Sequence, residues 1–235
     1  AEAELAVEVH MMRKEHRAAA FNVSNSTDET KEVSFRLSGL PGGDNPEYVT
    51  VHEVLWTDTR HGMAVAAALP EVAPENDLYS VTVPSGMTRQ VWMTFHPVDV
   101  ASGVYEGEVV VASPSGVRFP LRLHLYPLDF PEQQSLHMGG WDYTDRIGHF
   151  PYITEQNRMS IVEHLREHRV DSPWGLSLAL PRGTHDERGA MIAPPSTDIF
   201  DAWIELWPDA AQYMVYAEAE NQFQSWQMGT PEFET

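Results

Sequence analysis

Three short stretches in the second half of the chain carry aromatic rings, carboxylates, hydroxyls or amides, side chains suited to neutral, hydroxyl-rich ligands. The first is Trp141-Asp142-Tyr143. A flat indole offers an apolar face, and a neighbouring carboxylate accepts hydrogen bonds from hydroxyls. The second is Trp174 with Ser177, and the third is Glu218, Glu220 and Asn221. In an extended chain residues two apart project from one side, so Glu218 and Glu220 share a side with Cα atoms about 6–7 Å apart. That is close to the spacing at which carboxylate pairs cleave glycosidic bonds, about 5–5.5 Å for retention and about 6.5–9.5 Å for inversion. Each stretch also has an ordinary reading: an indole packed in a core, an aspartate closing a turn, glutamates that are merely solvated.

Other chemistries find less to work with. His164 and His168 are four apart and share a helical face, but Glu163-His164-Leu165-Arg166-Glu167-His168 lacks the His-Glu-x-x-His order of zinc proteases. Arg166 and Arg169 would repel a cation there, so a wet helix face is expected. The chain has no cysteine, hence no thiolate metal site or disulfide framework. It contains neither a P-loop nor G-x-G-x-x-G, and no metal or organic cofactor is expected. With 35 acidic residues against 15 basic ones the net charge is −20. Such a surface repels phosphate backbones and anionic lipid. Nucleic acid and membrane are therefore poor partners, while a neutral carbohydrate, a cation or a basic partner is compatible with the charge.

The elements that must position these residues fall into two rhythms. Up to about residue 129, Val33, Phe35 and Leu37 alternate with polar neighbours, as do Val91, Met93 and Phe95, and then Phe119, Leu121, Leu123 and Leu125. A period of two marks strands with one buried face. Turn clusters separate about eight such runs: 4–12, 18–25, 31–38, 47–56, 62–70, 78–83, 88–96 with 104–112, and 117–127. The last two form a predicted hairpin across Ser113-Pro114-Ser115-Gly116. This is the pattern of an antiparallel β-sandwich, immunoglobulin-like or jelly-roll-like, over 1–129.

Past the proline-flanked segment Pro127-Leu128-Asp129-Phe130-Pro131 the rhythm changes. Ser135 to Tyr143 is a predicted strand. A helix follows, capped by Thr154 with Glu155 in its first turn and an apolar stripe of Met159, Ile161, Val162 and Leu165. Trp174 to Leu180 is a second strand. A helix capped by Thr197 or Asp198 and carrying Phe200, Trp203, Ile204 and Trp207 is stopped by Pro208, and Gln212 to Ala217 is a third strand. Strand, helix, strand, helix, strand implies parallel βαβ units. A (β/α)₈ barrel takes roughly 200 residues or more. Residues 130–235 are therefore expected to be its first three βα units, with the remaining barrel supplied by a further C-terminal region or by another chain.

Three stretches give the chain a likeness. Arg89-Gln90-Val91-Trp92 is followed by Gly103-Val104-Tyr105-Glu106-Gly107; Leu128-Asp129-Phe130-Pro131-Glu132 forms the junction; and Phe200-Asp201 with Trp203 opens a helix. In these the chain resembles glycoside hydrolase family 123, whose members join an N-terminal β-sandwich to a (β/α)₈ barrel. The resemblance implies secreted or periplasmic hydrolysis of N-acetylated sugars. The substrate's acetamido oxygen attacks the anomeric carbon, and an adjacent Asp-Glu at a later barrel strand steadies the acetamido group and transfers protons. The pairs here, Asp28-Glu29 and Asp186-Glu187, lie in a sandwich turn and a glycine-containing loop. The catalytic pair is therefore expected outside this chain. A non-catalytic carbohydrate-binding module and a cell-envelope scaffold are the alternatives.

Overall fold

Val33, Phe35 and Leu37 are buried while the residues between them are not, so the period of two is realised as one wet and one dry face. The same pattern recurs at Val91, Met93 and Phe95 and from Phe119 to Leu125 in the first of the two units into which the chain divides, residues 1–132 and 133–235, in the computed structural model. The structure describes residues 5–113, 116–132, 135–146, 148, 150–181, 183–216 and 231.

The first unit is a two-layer sandwich with a side ribbon. One sheet is built from β1 (Val7–Arg13), β3 (Lys31–Ser38), β7 (Tyr79–Val83), β9 (Gly103–Ser113) and β10 (Arg118–Asp129), in the order β1-β10-β9-β3-β7. The other is β2 (Arg17–Ser24), β8 (Thr88–Phe95) and β4 (Val49–Glu53), in the order β2-β8-β4. The predicted β9–β10 hairpin pairs antiparallel, with Leu121 opposite Gly107. The expected 47–56 strand is divided instead into β4 and β5 (Leu55–Asp58), and β5 forms the ribbon with β6 (Ala64–Ala68). The division falls at Val54, which is buried and donates its N–H to the Gln90 carbonyl at 3.0 Å.

The sandwich is not wholly antiparallel, because β1 runs parallel to β10, Val9 opposite Leu123. Between the layers, Phe21 of one sheet meets Phe35 and Phe119 of the other edge-to-face at 5.4 and 5.3 Å. Such contacts add to the burial of large rings. The core continues through Val9, Val51, Val81, Met93, Leu121 and Leu123.

The second unit contains β11 (Met138–Trp141), α1 (Arg158–Glu167), β12 (Val170–Gly175), the hairpin β13 (Thr184–His185) and β14 (Met191–Ala193), α2 (Asp198–Ile204) and β15 (Met214–Val215). Strands β11, β12 and β15 pair in parallel in that order. The described residues of this unit form an open three-stranded layer and no barrel. Val162 of α1, Trp203 of α2 and Trp207 are buried together against Val170 and Val215. No helix among the described residues is long and apolar enough to cross a membrane.

Three local expectations are corrected. Helix α1 begins after Asn157, not Thr154, and has no acidic residue in its first turn. The Asn157 amide oxygen accepts the Thr154 N–H at 2.8 Å, making a turn of the segment that holds Glu155. The second strand ends at Gly175, so Trp174 lies near its end rather than its start, and Leu176 to Ala179 forms a turn. Helix α2 ends at Ile204, ahead of Pro208.

Opposite the strand ends, the layer is pinned by Asp171. Its carboxylate bonds His137 Nδ1 at 2.8 Å and accepts the Met138 N–H at 2.9 Å. The hydrogen bond to His137 holds the Asp171 carboxyl below its ordinary value of 3.8, against a smaller desolvation effect. A depressed carboxylate pKa stabilises the fold fully above the unfolded value, and the contribution disappears as pH falls through the folded value. The second unit is therefore expected to lose stability below about pH 4. The His137→Ala variant should show a weaker acid dependence in urea titrations followed at pH 5 and pH 3.

Candidate functional site at the strand ends of the second unit

The three-stranded layer has two unlike faces, set by strand alternation. One looks to the helices. A Cβ on Gly175 would meet the Trp203 ring at 3.1 Å, which identifies Gly175 as the point of close helix–strand approach. Its register partner is Val215, packed in the helix-side core. The other face carries Trp141 and Trp174, which are partners in the β11–β12 register. Their rings meet edge-to-face at 5.7 Å, and Tyr216, just past β15, meets Trp141 at 5.9 Å. Trp141 also stacks with Tyr143 at 6.4 Å and an interplanar angle of 14°, and Tyr143 packs on Phe150 at 4.6 Å. Trp141, Tyr143 and Trp174 are half-buried, and Tyr216 is 53% exposed. The C-terminal ends of the parallel strands therefore present an apolar, aromatic surface edged by a phenol hydroxyl.

Two backbone features allow this arrangement. Gly139 faces Trp174 so closely that a Cβ there would lie 2.2 Å from the indole Nε1. Tyr143 has φ = 56°, a left-handed conformation uncommon for a residue with a side chain. Such conformations persist where surrounding contacts hold them, here the ring contacts to Trp141 and Phe150.

Asp142 lies on the helix side and is buried. Its Oδ2 accepts from Trp207 Nε1 at 2.7 Å, Trp203 Nε1 at 2.9 Å and Thr144 Oγ1 at 2.6 Å, while Oδ1 accepts the Thr144 N–H at 3.1 Å. Four donors converge on one carboxylate, which ties the end of β11 to α2 and the turn after it. Asp145, also buried, accepts the Leu176 N–H at 3.0 Å and so fixes the turn after β12 that carries Ser177.

Of the residues singled out in the sequence, Trp141, Tyr143 and Trp174 come together on one face, and Asp142 stands behind them. Glu218, Glu220 and Asn221 lie outside the described residues. Tyr216 and Phe150 were passed over. Tyr216 had a signal, since it is two residues beyond Met214 and shares its side of the third strand. Phe150 had none, because nothing in a loop sequence says which strand tip it returns to. His164 is exposed on α1, and His168 is exposed at its C-terminal cap. The described residues hold no cluster of three or more His, Cys, Asp or Glu side chains able to bind a metal ion.

No family model and no curated protein sequence matches the chain. Among solved structures it is similar in fold to a family 123 glycoside hydrolase from Clostridium perfringens, at 13% identity and a TM-score of 0.59. The match covers 89% of this chain and 43% of that one, so the chain spans less than half the length of that enzyme. Two further matches are too distant to carry an argument. A Paenibacillus cycloisomaltooligosaccharide glucanotransferase scores 0.29 at 10% identity, over 88% of this chain and 26% of that one. A PapD-like domain of human CEP192 scores 0.28 at 15% identity, over 54% and 84%.

Proposed function

We propose that these residues are the N-terminal part of a glycoside hydrolase, and that the second unit opens a (β/α)₈ barrel acting on neutral or N-acetylated sugars. The observation that carries the reading is the aromatic face of Trp141, Tyr143 and Trp174 at the C-terminal ends of parallel strands. Strand ends of that sense are where barrel enzymes build their sites. The fold likeness to a family 123 enzyme supports it. Trp141 and Trp174 bind the apolar faces of sugar rings, and Tyr143 adds a hydroxyl at the edge. Asp142 is a positioning residue that holds the strand end against α2. Glu218, Glu220 and Asn221 follow the third strand and bind sugar hydroxyls. A catalytic Asp-Glu pair, acting with the substrate's acetamido group, comes from protein beyond these residues, as does the rest of the barrel. A secreted or periplasmic location accords with such a substrate.

The test is sugar release by the natural-length protein from aryl N-acetylhexosaminides and other neutral aryl glycosides. Trp141→Ala and Trp174→Ala should each lower kcat/KM about tenfold or more, equal to about 1.4 kcal/mol of transition-state binding. No release from any substrate of the set contradicts the assignment, and so does full activity in both variants.

A further inference from the structure

The outer face of the three-stranded sheet in the first unit carries a second place where an indole meets neutral polar groups. Phe21, Val91 and Met93 point into the core, so Asn22 and Ser24 of β2 and Thr88 and Gln90 of β8 face outward. They stand opposite each other in register and are bonded across the strands. Gln90 Nε2 donates to Asn22 Oδ1 at 3.2 Å, and the Ser24 and Thr88 hydroxyls are 2.8 Å apart. The β5–β6 ribbon leaves the sheet directly after Val54 and brings Trp56 over this ladder. Asn22, Val54, Trp56, Ala66, Thr88 and Gln90 enclose a concavity of about 220 Å³.

Three features of this hollow bear on a ligand. Trp56 is 52% exposed, and its partner across the ribbon is Ala66, whose methyl group leaves the indole uncovered. A large exposed aromatic flanked by fixed polar groups is the composition of binding sites rather than of ordinary surface. The amides are held by the Gln90–Asn22 bond, which commits one donor and one acceptor. The cross-strand bonds place the Asn22 N–H groups, the Gln90 carbonyl and the Thr88 hydroxyl beside one another before any ligand arrives, which lowers the ordering cost of binding.

Finally, none of the six lining side chains is charged. A cation finds no carboxylate there, and an anion finds no Lys or Arg in a chain of net charge −20. A ligand with one apolar ring face and a rim of neutral hydroxyls satisfies all three features. The volume is below the roughly 300–1,000 Å³ of pockets for drug-sized ligands, which limits it to a single ring.

We propose that this hollow on the sandwich is a binding site for a neutral pyranose, with Trp56 as the stacking platform and Asn22, Thr88 and Gln90 as hydroxyl partners. It shares the ligand class of the hydrolase reading and nothing else, because it belongs to the other unit and needs no catalysis.

The test uses the whole 235-residue chain, titrated with methyl glycosides of glucose, galactose, mannose and N-acetylglucosamine. Sialyllactose serves as the charged control, the side-chain indole N–H resonances are followed by NMR, and the backbone amide resonances of β2 and β8 report binding in every variant. One neutral glycoside at least should shift the Trp56 resonance saturably below about 10 mM. Trp56→Ala should weaken that binding about tenfold or more, and Gln90→Ala about threefold or more, with the melting temperature unchanged in the exposed Trp56 variant. Three results overturn the site: no saturable shift at Trp56 with any neutral glycoside, equal binding by Trp56→Ala, or tighter binding of sialyllactose. The hydrolase reading fails separately. Binding at Trp56 by a natural-length protein that cleaves nothing keeps this site and removes that activity. Cleavage with no binding at Trp56 does the reverse.

Discussion

Asp142→Ala should unfold the second unit at a urea concentration well below that of the parent chain. The substitution removes the acceptor shared by Trp203 Nε1, Trp207 Nε1 and Thr144. Both indoles are essentially sealed from water, at 0% and 1% exposure, so each N–H loses its partner with no solvent to replace it. A buried donor left unsatisfied costs about 1–3 kcal/mol. Two such donors, with a small cavity added, give about 3–5 kcal/mol, a large share of a domain's net stability. Asp142→Asn keeps one acceptor oxygen but turns an N–H₂ toward donors, and should fall between parent and alanine variant. The two buried tryptophans report the transition by fluorescence. An alanine variant within 0.5 kcal/mol of the parent would mean that the indoles are not held by this carboxylate.

Gly139→Ala has the next largest expected effect, and it acts on the candidate site itself. The added methyl carbon would fall 2.2 Å from Trp174 Nε1 and 2.8 Å from the Ser172 carbonyl oxygen. The indole can swing away, but the carbonyl belongs to the neighbouring strand and yields only if β11 and β12 separate. We expect a loss at the upper end of the ~1–3 kcal/mol typical of overpacking, together with loss of the near-ultraviolet signal of the Trp141–Trp174 pair. Adding Trp174→Ala should remove the larger clash, so the double variant should be more stable than the sum of the single effects predicts. Contacting residues couple by about 0.5–3 kcal/mol. Strict additivity would show that the ring does not lie over Gly139.

What could be read from the sequence follows from the range of each signal. The dry faces of β3, β8 and β10 were legible because Val33-Phe35-Leu37, Val91-Met93-Phe95 and Phe119 to Leu125 alternate without interruption. Alternation tells which face a residue takes but not which way its neighbour runs. The parallel pairing of β1 with β10 was therefore invisible, as these strands lie at opposite ends of the unit's sequence. Strand β12 was misplaced for a different reason. Its residues Asp171 and Pro173 are poor strand formers, whereas Trp174 to Leu180 alternates well and yet turns. Pairing with β11 overrides that local preference.

At the candidate site the aromatic residues of the strand tips were legible as a composition. What Asp142 meets on the opposite face was not. Its partners there are Trp203 and Trp207, 61 and 65 residues farther along the chain, and no local pattern reports a contact at that distance. Trp56 was equally silent. Its exposure comes from the break at Val54, where a run that reads as one strand leaves the sheet as a ribbon.

The most direct measurement of the central claim is a crystal structure of the natural-length protein soaked with an N-acetylhexosamine. The account predicts a sugar ring at the C-terminal ends of β11 and β12, its apolar face against Trp141 or Trp174 and a hydroxyl within hydrogen-bond reach of Tyr143. A structure in which further protein packs directly on these rings and leaves no room for a sugar would contradict it, and the aromatic face would then be core.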